Sequence, residues 1–142
     1  MMRVTRRYRF AASHRLHSGK FSDERNRELY GKCNNPHGHG HDYVLEVTAA
    51  GPLDPATGQV VNIPALDRLV NQQVVQDFDH KYLNADLDDF KKLVPTSENI
   101  IRVVEDRLNR HWRAAFTGKW PRLDAVRLRE TRRNLFASEL KT

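Results

Sequence analysis

The chain has 142 residues and a formal net charge of +6, with 39% hydrophobic and 30% charged residues. This composition is that of a soluble globular protein, and the length predicts one domain over residues 1–142. No apolar run approaches the roughly 20 residues of a membrane span, and the N-terminus lacks the apolar stretch of a signal peptide. The single cysteine, Cys33, excludes an internal disulfide, so a cytoplasmic location is the expectation.

Arginines account for the basic excess near both ends of the chain. They are Arg3, Arg6, Arg7, Arg9, Arg122, Arg127, Arg129, Arg132 and Arg133. Such a group suits a polyanionic partner, either nucleic acid or a phosphorylated small molecule, or else a solvated sheet face that keeps the protein in solution. Aromatic residues are not interleaved with these arginines, which disfavours stacking on bases. A nucleic-acid-binding module is therefore the alternative from a different class, and the favoured hypothesis has no nucleic-acid or membrane partner.

Two early segments alternate between inward and outward residues, which predicts strands with one buried face. The inward residues of the first are Val4, Tyr8, Phe10, Ala12 and His14, with Arg6 as an exception. The second spans residues 41–48 and has Tyr43, Leu45 and Val47 inward. Residues 17–38 between them are rich in Gly, Asn, Ser and charge, and they predict a long loop of the kind that is often functional.

Two amphipathic helices follow a turn at residues 51–58. Pro64 opens the first helix, and Thr96 or Ser97 caps the second, with Glu98 in its first turn. Their apolar stripes are Leu66, Leu69, Val70, Val74 and Phe78, then Ile100, Ile101, Val103, Val104, Leu108 and Trp112. A last strand over about residues 122–131 completes the pattern. Strands at both ends of the chain around two helices predict an α+β fold with an antiparallel sheet.

The segment His39-Gly40-His41 is the strongest metal-binding pattern. Residues two apart on a strand point the same way, roughly 7 Å apart, so both imidazoles can bind one ion. His14 ends the first strand with the inward parity and faces them if the two strands form a hairpin. Three neutral imidazoles leave a fourth position open, as in catalytic zinc sites, and these ligands favour Zn²⁺.

One ambiguity concerns the ligand register, because His37-Gly38-His39 has the same spacing as His39-Gly40-His41. His41 continues the parity of Tyr43 and is preferred for that reason. His37 is then expected to be a solvated loop histidine, and it stays open as an alternative ligand.

Several side chains are candidates for acid–base chemistry near this site. Cys33 lies six residues before His39, and a dication together with Lys32 would lower its pKa and let it act as a base. Asp79-His80 pairs a carboxylate with an imidazole. Glu130 shares the apolar face of the last strand, where a carboxylate needs an arginine or a ligand with two adjacent N–H groups.

These residues belong to segments that together resemble one family. The segments are 10–16, 30–41, 54–58, 79–81, 96–99 and 130–131, with Leu66 and Leu83. In this order they resemble the 6-pyruvoyl-tetrahydropterin synthase family, which includes the bacterial 6-carboxytetrahydropterin synthases of queuosine synthesis. The resemblance extends from about residue 8 to residue 131. Two positions depart from it: His37, where many relatives have Asn, and the run Thr131-Arg132-Arg133-Asn134 after Glu130, where the family commonly has an acidic residue and asparagines.

The resemblance implies a tunnelling fold, in which an antiparallel sheet carries two helices on one face. Trimers close their sheets into a barrel, two trimers stack as a homo-hexamer, and the active site lies between subunits. It also implies zinc ligation by His14, His39 and His41, with Cys33 as general base. Asp79 and His80 would complete a proton-transfer triad. Glu130 would anchor the pterin ring with the help of Thr96, Ser97 and Glu98.

The implied activity is that of a lyase that eliminates triphosphate from 7,8-dihydroneopterin triphosphate and forms 6-pyruvoyl-tetrahydropterin. The spacing from Cys33 to the ligands is the longer form found in pyruvoyl-forming relatives. The carboxy-forming branch, which releases acetaldehyde as well as triphosphate, commonly has a shorter spacing, and His37-Gly38-His39 would imitate it. A 6-carboxy-5,6,7,8-tetrahydropterin synthase is thus the alternative within the family.

Overall fold

A computed structural model describes residues 1–139 and contains one five-stranded sheet. Its strands are β1 (Met2–His14), β2 (His39–Gly51), β3 (Lys81–Tyr82), β4 (Arg122–Arg129) and β5 (Leu135–Glu139), in the order β3-β1-β2-β4-β5. All neighbours are antiparallel except β3, which pairs parallel to β1. The sheet is therefore mixed, which corrects the expectation of a wholly antiparallel sheet. The chain passes from β2 through a helical segment, residues 63–78, to β3, which runs opposite to β2 and therefore parallel to β1, its neighbour in the sheet.

Helices cover one face of the sheet and one end of it. They are α1 (Asp23–Tyr30), α2 (Ile63–Val70, continuing through a π-helical turn Asn71–Val75 and a last turn Gln76–Phe78), α3 (Leu83–Asp86) and α4 (Ser97–Ala115). The short 3₁₀ turns are Gly31–Asn34 and Asp88–Phe90. Pro64 lies in the first turn of α2 and Thr96 caps α4, as the sequence predicts. Within residues 1–139, no helix combines the length and apolar character needed to cross a membrane.

Helix α1 shows that the prediction of an uninterrupted loop over residues 17–38 was wrong. Its N-cap is Ser22, whose side chain accepts a hydrogen bond from the Arg25 N–H at 3.1 Å. Asp23 and Glu24 stand in its first turn, where they complement the helix dipole. The helix has only one buried residue, Asn26, so it lacks the apolar stripe by which α2 and α4 are recognised.

The core lies between the sheet and the helices α2 and α4. Every apolar stripe residue predicted for the two helices is buried, and so are Tyr8, Phe10, Tyr43, Leu45 and Val47 of the strands. Burial of each large apolar side chain contributes about 1.5–3 kcal/mol, so this shared interface rather than helix propensity holds the helices in place. The strand parity predicted from the sequence is confirmed for both β1 and β2.

Ion pairs account for several of the terminal arginines. Arg7 and Arg127 both contact the buried Glu46 on the sheet face opposite the helices, at 2.7 and 3.2 Å. Arg6, the exception to the β1 parity, reaches Asp67 of α2 at 2.8 Å. These contacts support the hypothesis of a solvated, internally neutralised sheet face over that of a nucleic-acid surface.

Arg107 of α4 ties the two long helices together. Its guanidinium donates to the Gln73 carbonyl in the π-helical turn at 2.9 Å and to Asp77 and Asp89 at 2.7 Å each. It also lies 5.2 Å from the centre of the Phe78 ring. Burial alone would raise the pKa of Asp89, but the hydrogen bond and charge of Arg107 outweigh it and hold the pKa below its ordinary value.

Arg107→Ala is expected to lower the free energy of unfolding by about 2 kcal/mol at neutral pH, because the partly buried Asp89 carboxylate and the Gln73 carbonyl lose their donor. The pKa of Asp89 is lower in the folded than in the unfolded protein, so Arg107 stabilises the fold fully above the unfolded carboxyl pKa of about 3.9. This stabilisation is lost as the pH falls through the pKa of Asp89 in the folded protein. Urea unfolding of both proteins at neutral pH and at about pH 2.5 measures the difference.

Arg110→Ala is the matched control for this experiment. Arg110 lies on the same helix and pairs with Asp106 at 2.9 Å, but both side chains are more than half exposed. An exposed pair of this kind contributes about 0–1 kcal/mol. Equal losses from Arg107→Ala and Arg110→Ala would contradict the role of Arg107 as a buried tie between the helices.

Candidate metal centre and active site

The pairing of β1 with β2 brings three imidazoles together at one end of the sheet. His14 is directly opposite His39 in the strand register, and His41 follows on the same face of β2. The ring centroids lie 5.4 Å apart for His14 and His39, 5.1 Å for His14 and His41, and 4.6 Å for His39 and His41. The hairpin geometry expected from the sequence therefore places all three rings around one point.

His14 is fully buried and oriented by the segment that precedes α4. Its Nδ1 lies 2.8 Å from the Pro95 carbonyl oxygen and 3.4 Å from the Tyr43 hydroxyl. A carbonyl only accepts, so Nδ1 carries the proton and donates it, which leaves the Nε2 lone pair directed at the cluster. Burial lowers the pKa of His14 to about 4, so the ring is neutral at pH 7, the state that binds metals.

Two buried nitrogens at the centre of the cluster have no hydrogen-bond partner among residues 1–139. They are Nε2 of His14 and Nε2 of His41. Burial, and then the charge of His39, lowers the pKa of His41 as well. Buried acceptors are rarely left unpaired, and two neutral ones aimed at the same space fit a bound cation.

Five side chains in all supply donor atoms around this space. Within the described chain, the atoms of His14, His41 and Glu130 lie within 4.8 Å of one another, and so do those of His14, Cys33 and His39. Oε1 of Glu130 is 3.3 Å from Nε2 of His41, and Sγ of Cys33 is 3.1 Å from Nε2 of His39. The two sets share His14, so together they form one donor cluster that could hold a metal ion.

His37 lies outside this cluster. It is exposed, and its backbone N–H donates to the Asn35 side chain at 3.2 Å. Neither donor set of the described chain includes it. The geometry therefore favours the register that uses His39 and His41.

Gly38 is a requirement of the site that the sequence did not predict. Its φ is +70°, and a Cβ at this position would lie 2.8 Å from the His14 carbonyl oxygen and 3.1 Å from the Tyr82 ring. Any side chain would push the start of β2 away from the end of β1. A Cβ on Gly40 would meet the Ala12 oxygen at an ordinary 3.6 Å, so the glycine needed on steric grounds is Gly38. The turn sequence Pro36-His37-Gly38 was the available signal.

Cys33 is held beside the histidines by the segment that follows β1. The Leu16 N–H donates to the Cys33 carbonyl, and the Asn34 side chain donates to the Leu16 carbonyl, both at 2.7 Å. Burial, and then the charge of Glu130, raises the pKa of the Cys33 thiol. The expected lowering by Lys32 is therefore not found in the protein alone, since burial is the larger effect.

Asp79 and His80 lie at the outer edge of β1, away from Cys33. Asp79 accepts a hydrogen bond from the Ala11 N–H at 2.9 Å and contacts Nδ1 of His80 at 3.1 Å. His80 has a φ of 60° and a side chain that is 81% exposed. In residues 1–139, no hydrogen bond or ion pair joins this pair to Cys33, so a single chain does not assemble the expected triad.

Glu130 follows β4 directly and turns its carboxylate toward the histidines. Burial raises the pKa of Glu130, the Ser97 hydroxyl opposes this rise, and the negative charge of Glu98 adds to it. Thr96 accepts the Asn99 N–H at 3.2 Å as the N-cap of α4. The structure thus brings Ser97 and Glu98 close to Glu130. The contact shown for Thr96 is that of a helix cap.

Comparison with known proteins assigns the chain to a family. The family model for 6-pyruvoyl tetrahydropterin synthase matches residues 3–140. The chain is 47% identical to 6-pyruvoyl tetrahydrobiopterin synthase of Homo sapiens over 107 residues, which cover 75% of this chain and 74% of that protein. It is 40% identical to the enzyme of the same name from Poecilia reticulata over 132 residues, covering 93% and 86% of the two chains.

A solved structure extends the comparison to three dimensions. The structure of Caenorhabditis elegans 6-pyruvoyl tetrahydropterin synthase superimposes with a TM-score of 0.88 at 36% identity, covering 99% of this chain and 96% of that chain. The two proteins therefore share one α+β fold, and the family resemblance predicted from the sequence is confirmed. The chain belongs to the 6-pyruvoyl tetrahydropterin synthase family.

Proposed function

We propose that this chain is a zinc-dependent lyase that converts 7,8-dihydroneopterin triphosphate to 6-pyruvoyl-tetrahydropterin and releases triphosphate. The observation that carries this proposal is that the buried Nε2 atoms of His14 and His41 have no hydrogen-bond partner among residues 1–139 and lie beside His39, the Cys33 thiol and the Glu130 carboxylate. The names of the family and of its members support the pyruvoyl product, and the substrate is the one that the sequence resemblance implies.

His14, His39 and His41 are the proposed ligands of the ion. Neutral imidazoles suit zinc, and the hydrogen bond from His14 to the Pro95 carbonyl orients one of them, as partners behind a ligand commonly do. Bound zinc would supply Lewis acidity at the side-chain oxygens of the substrate and so acidify the neighbouring C–H groups.

Cys33 and Glu130 have complementary roles in the proposal. As a thiolate, Cys33 accepts a proton from the substrate side chain, and the electron pair left behind expels triphosphate. The Glu130 carboxylate accepts the two adjacent N–H groups of the pterin ring in bidentate fashion. Glu130 lies 3.3 Å from His41, and Cys33 lies 3.1 Å from His39. A pterin ring bound by Glu130 therefore has its side chain beside Cys33.

Asp79 and His80 fit a role between subunits. His80 combines a left-handed backbone conformation with an exposed imidazole, and strained backbone of this kind is concentrated at functional sites. A second subunit packed against this edge would receive the imidazole. We therefore include in the proposal a homo-hexamer, formed by two trimers, in which Asp79 and His80 exchange protons with the Cys33 of a neighbour.

Product analysis tests the proposed function. Zinc-loaded protein incubated with 7,8-dihydroneopterin triphosphate is expected to release triphosphate and 6-pyruvoyl-tetrahydropterin without acetaldehyde, as measured by liquid chromatography and mass spectrometry. The same protein stripped of metal by a chelator is the control and is expected to be inactive. Acetaldehyde together with 6-carboxytetrahydropterin would reject the pyruvoyl product in favour of the alternative within the family.

A further inference from the structure

Two exposed arginines, Arg132 and Arg133, follow Glu130 in the turn between β4 and β5. Within residues 1–139, no carboxylate forms an ion pair with either of them, whereas Arg7 and Arg127 on the same sheet are both paired with Glu46. The turn beside the proposed anchor of the pterin ring therefore carries two uncompensated positive charges.

Hydrogen bonds hold this turn close to Glu130. The Glu130 N–H donates to the Asn134 carbonyl at 3.3 Å, and the Thr131 hydroxyl oxygen accepts the N–H groups of Arg133 and Asn134 at 3.1 and 3.2 Å. Successive Cα atoms are about 3.8 Å apart, so the Cα of Arg132 lies within about 8 Å of the Cα of Glu130. The backbone of the turn thus stays roughly within one Debye length of Glu130 at physiological ionic strength.

Carboxylates make the pterin side of the site unfavourable for an anion. Oε1 of Glu130 is 3.3 Å from Nε2 of His41, and burial together with the negative charge of Glu98 raises the pKa of Glu130. The proposed substrate carries several negative charges on its triphosphate, which both carboxylates repel. The cations of the neighbouring turn offset this repulsion without having to touch the substrate.

The size of the effect follows from distance and ionic strength. Two positive charges about 10–12 Å from an anion with several negative charges raise its local concentration roughly 10-fold at low salt. Such attraction increases the rate of encounter and is screened as the salt concentration rises. Exposed side chains on a surface turn can supply this attraction, because it depends on their charge and not on a fixed contact.

We propose that Arg132 and Arg133 are steering residues, which draw the anionic substrate to the active site by their charge and stay outside its binding contacts. This inference rests on the proposed function for the identity of the substrate. The attraction of anions by the turn can be measured without turnover.

The first experiment compares two double variants that have the same net charge. Arg132→Gln/Arg133→Gln removes the charges of the turn, and Arg110→Gln/Arg113→Gln removes two exposed charges from the C-terminal part of α4. The control positions lie about 20 Å or more along the helix from Ser97, which is beyond two Debye lengths at physiological ionic strength. Circular dichroism should show that both variants fold.

Steady-state kinetics with 7,8-dihydroneopterin triphosphate give the readout. In about 10 mM salt, we expect kcat/KM to fall about 10-fold in the turn variant with kcat unchanged, and to stay within about twofold in the control on α4. In about 0.5 M salt, the difference between the two variants should shrink below about twofold. Equal kcat/KM values in the two variants at low salt would overturn the proposal.

A charge-preserving variant separates steering from direct binding. Arg132→Lys/Arg133→Lys keeps both charges but loses the planar fork with which a guanidinium binds phosphate. We expect it to match the unmodified protein. A loss of kcat/KM as large as that of the glutamine variant would show that the guanidinium groups bind the substrate directly, and it would overturn the steering role.

Alkylation of Cys33 measures the same attraction without turnover. A cavity of about 720 Å³ opens beside His39, whose Nε2 is 3.1 Å from the thiol, so small reagents have a route to it. Zinc-loaded protein is treated with iodoacetate, an anion, and with neutral iodoacetamide. The ratio of the two rates cancels any change in the reactivity of the thiol itself.

We expect this ratio to fall about twofold at low salt in Arg132→Gln/Arg133→Gln and to stay the same in the control on α4. An unchanged ratio in both variants would contradict the proposal. A lower ratio in the turn variant of a protein that does not turn over 7,8-dihydroneopterin triphosphate would uphold the attraction of anions and reject the proposed function.

Discussion

His41→Ala is expected to weaken zinc binding by more than about 100-fold, beyond the effect of losing a partner behind a ligand. Nε2 of His41 is buried, has no hydrogen-bond partner among residues 1–139 and lies in a donor set with His14 and Glu130, so the substitution removes one of the three proposed ligands. Metal content after dialysis against a zinc buffer, measured by mass spectrometry, and competition with a chromogenic chelator give the affinity. Turnover should fall in proportion to the metal lost.

His37→Ala is the matched control, since it removes another imidazole from the same short segment. His37 is exposed and belongs to neither donor set, so this variant is expected to keep its zinc and its activity. Circular dichroism should show that both variants fold. The reverse result, with zinc lost from His37→Ala and kept by His41→Ala, would establish the other ligand register.

Cys33→Ala is expected to lower kcat by about 10²–10⁴-fold, the range for loss of a general base, while the protein keeps its zinc. The thiol lies 3.1 Å from His39 and half-buried beside the cluster, where it can reach a substrate that is bound to the ion. Steady-state kinetics and metal analysis on the same sample measure both quantities. Unchanged turnover would remove Cys33 from the mechanism.

Metal content in the same variant separates two roles that the geometry permits. Sγ of Cys33 forms a donor set with His14 and His39, so the thiol could be a ligand instead of a base. Loss of zinc from Cys33→Ala would identify a ligand, whereas retained zinc with lost turnover identifies the base. Cys33→Ser, which preserves size and a hydroxyl, checks that the loss does not come from a changed cavity shape.

Local sequence patterns predicted those helices and strands that bury one apolar face against the core. The 3.6-residue stripe of α2 and the cap at Thr96 were sufficient for both long helices. Period-two alternation placed His14 and Tyr43 on the buried face of the sheet. It also predicted that His39 and His41 would face His14 if the two strands paired, whereas the register of that pairing, across residues 15–38, was decided by the tertiary structure.

Other elements carried no such local signal. Helix α1 is polar on nearly all sides and is held by the hydrogen bonds of Asn26, so its composition resembled that of a loop. The two-residue strand β3 pairs with β1 only because α2 returns the chain to that edge. Strand β5, which begins at Leu135, lies beyond the last strand that the pattern predicted.

The sequence by itself determined the secondary structure of the core and the family, and it supplied the candidate site residues. The tertiary structure decided what those side chains can do, because burial, pKa and partners depend on distant parts of the chain. His14 is oriented by a carbonyl 81 residues away, and the pKa of Cys33 rises through burial and the charge of Glu130. The cavity beside His39 exists only where the ends of β1, α1 and β2 meet.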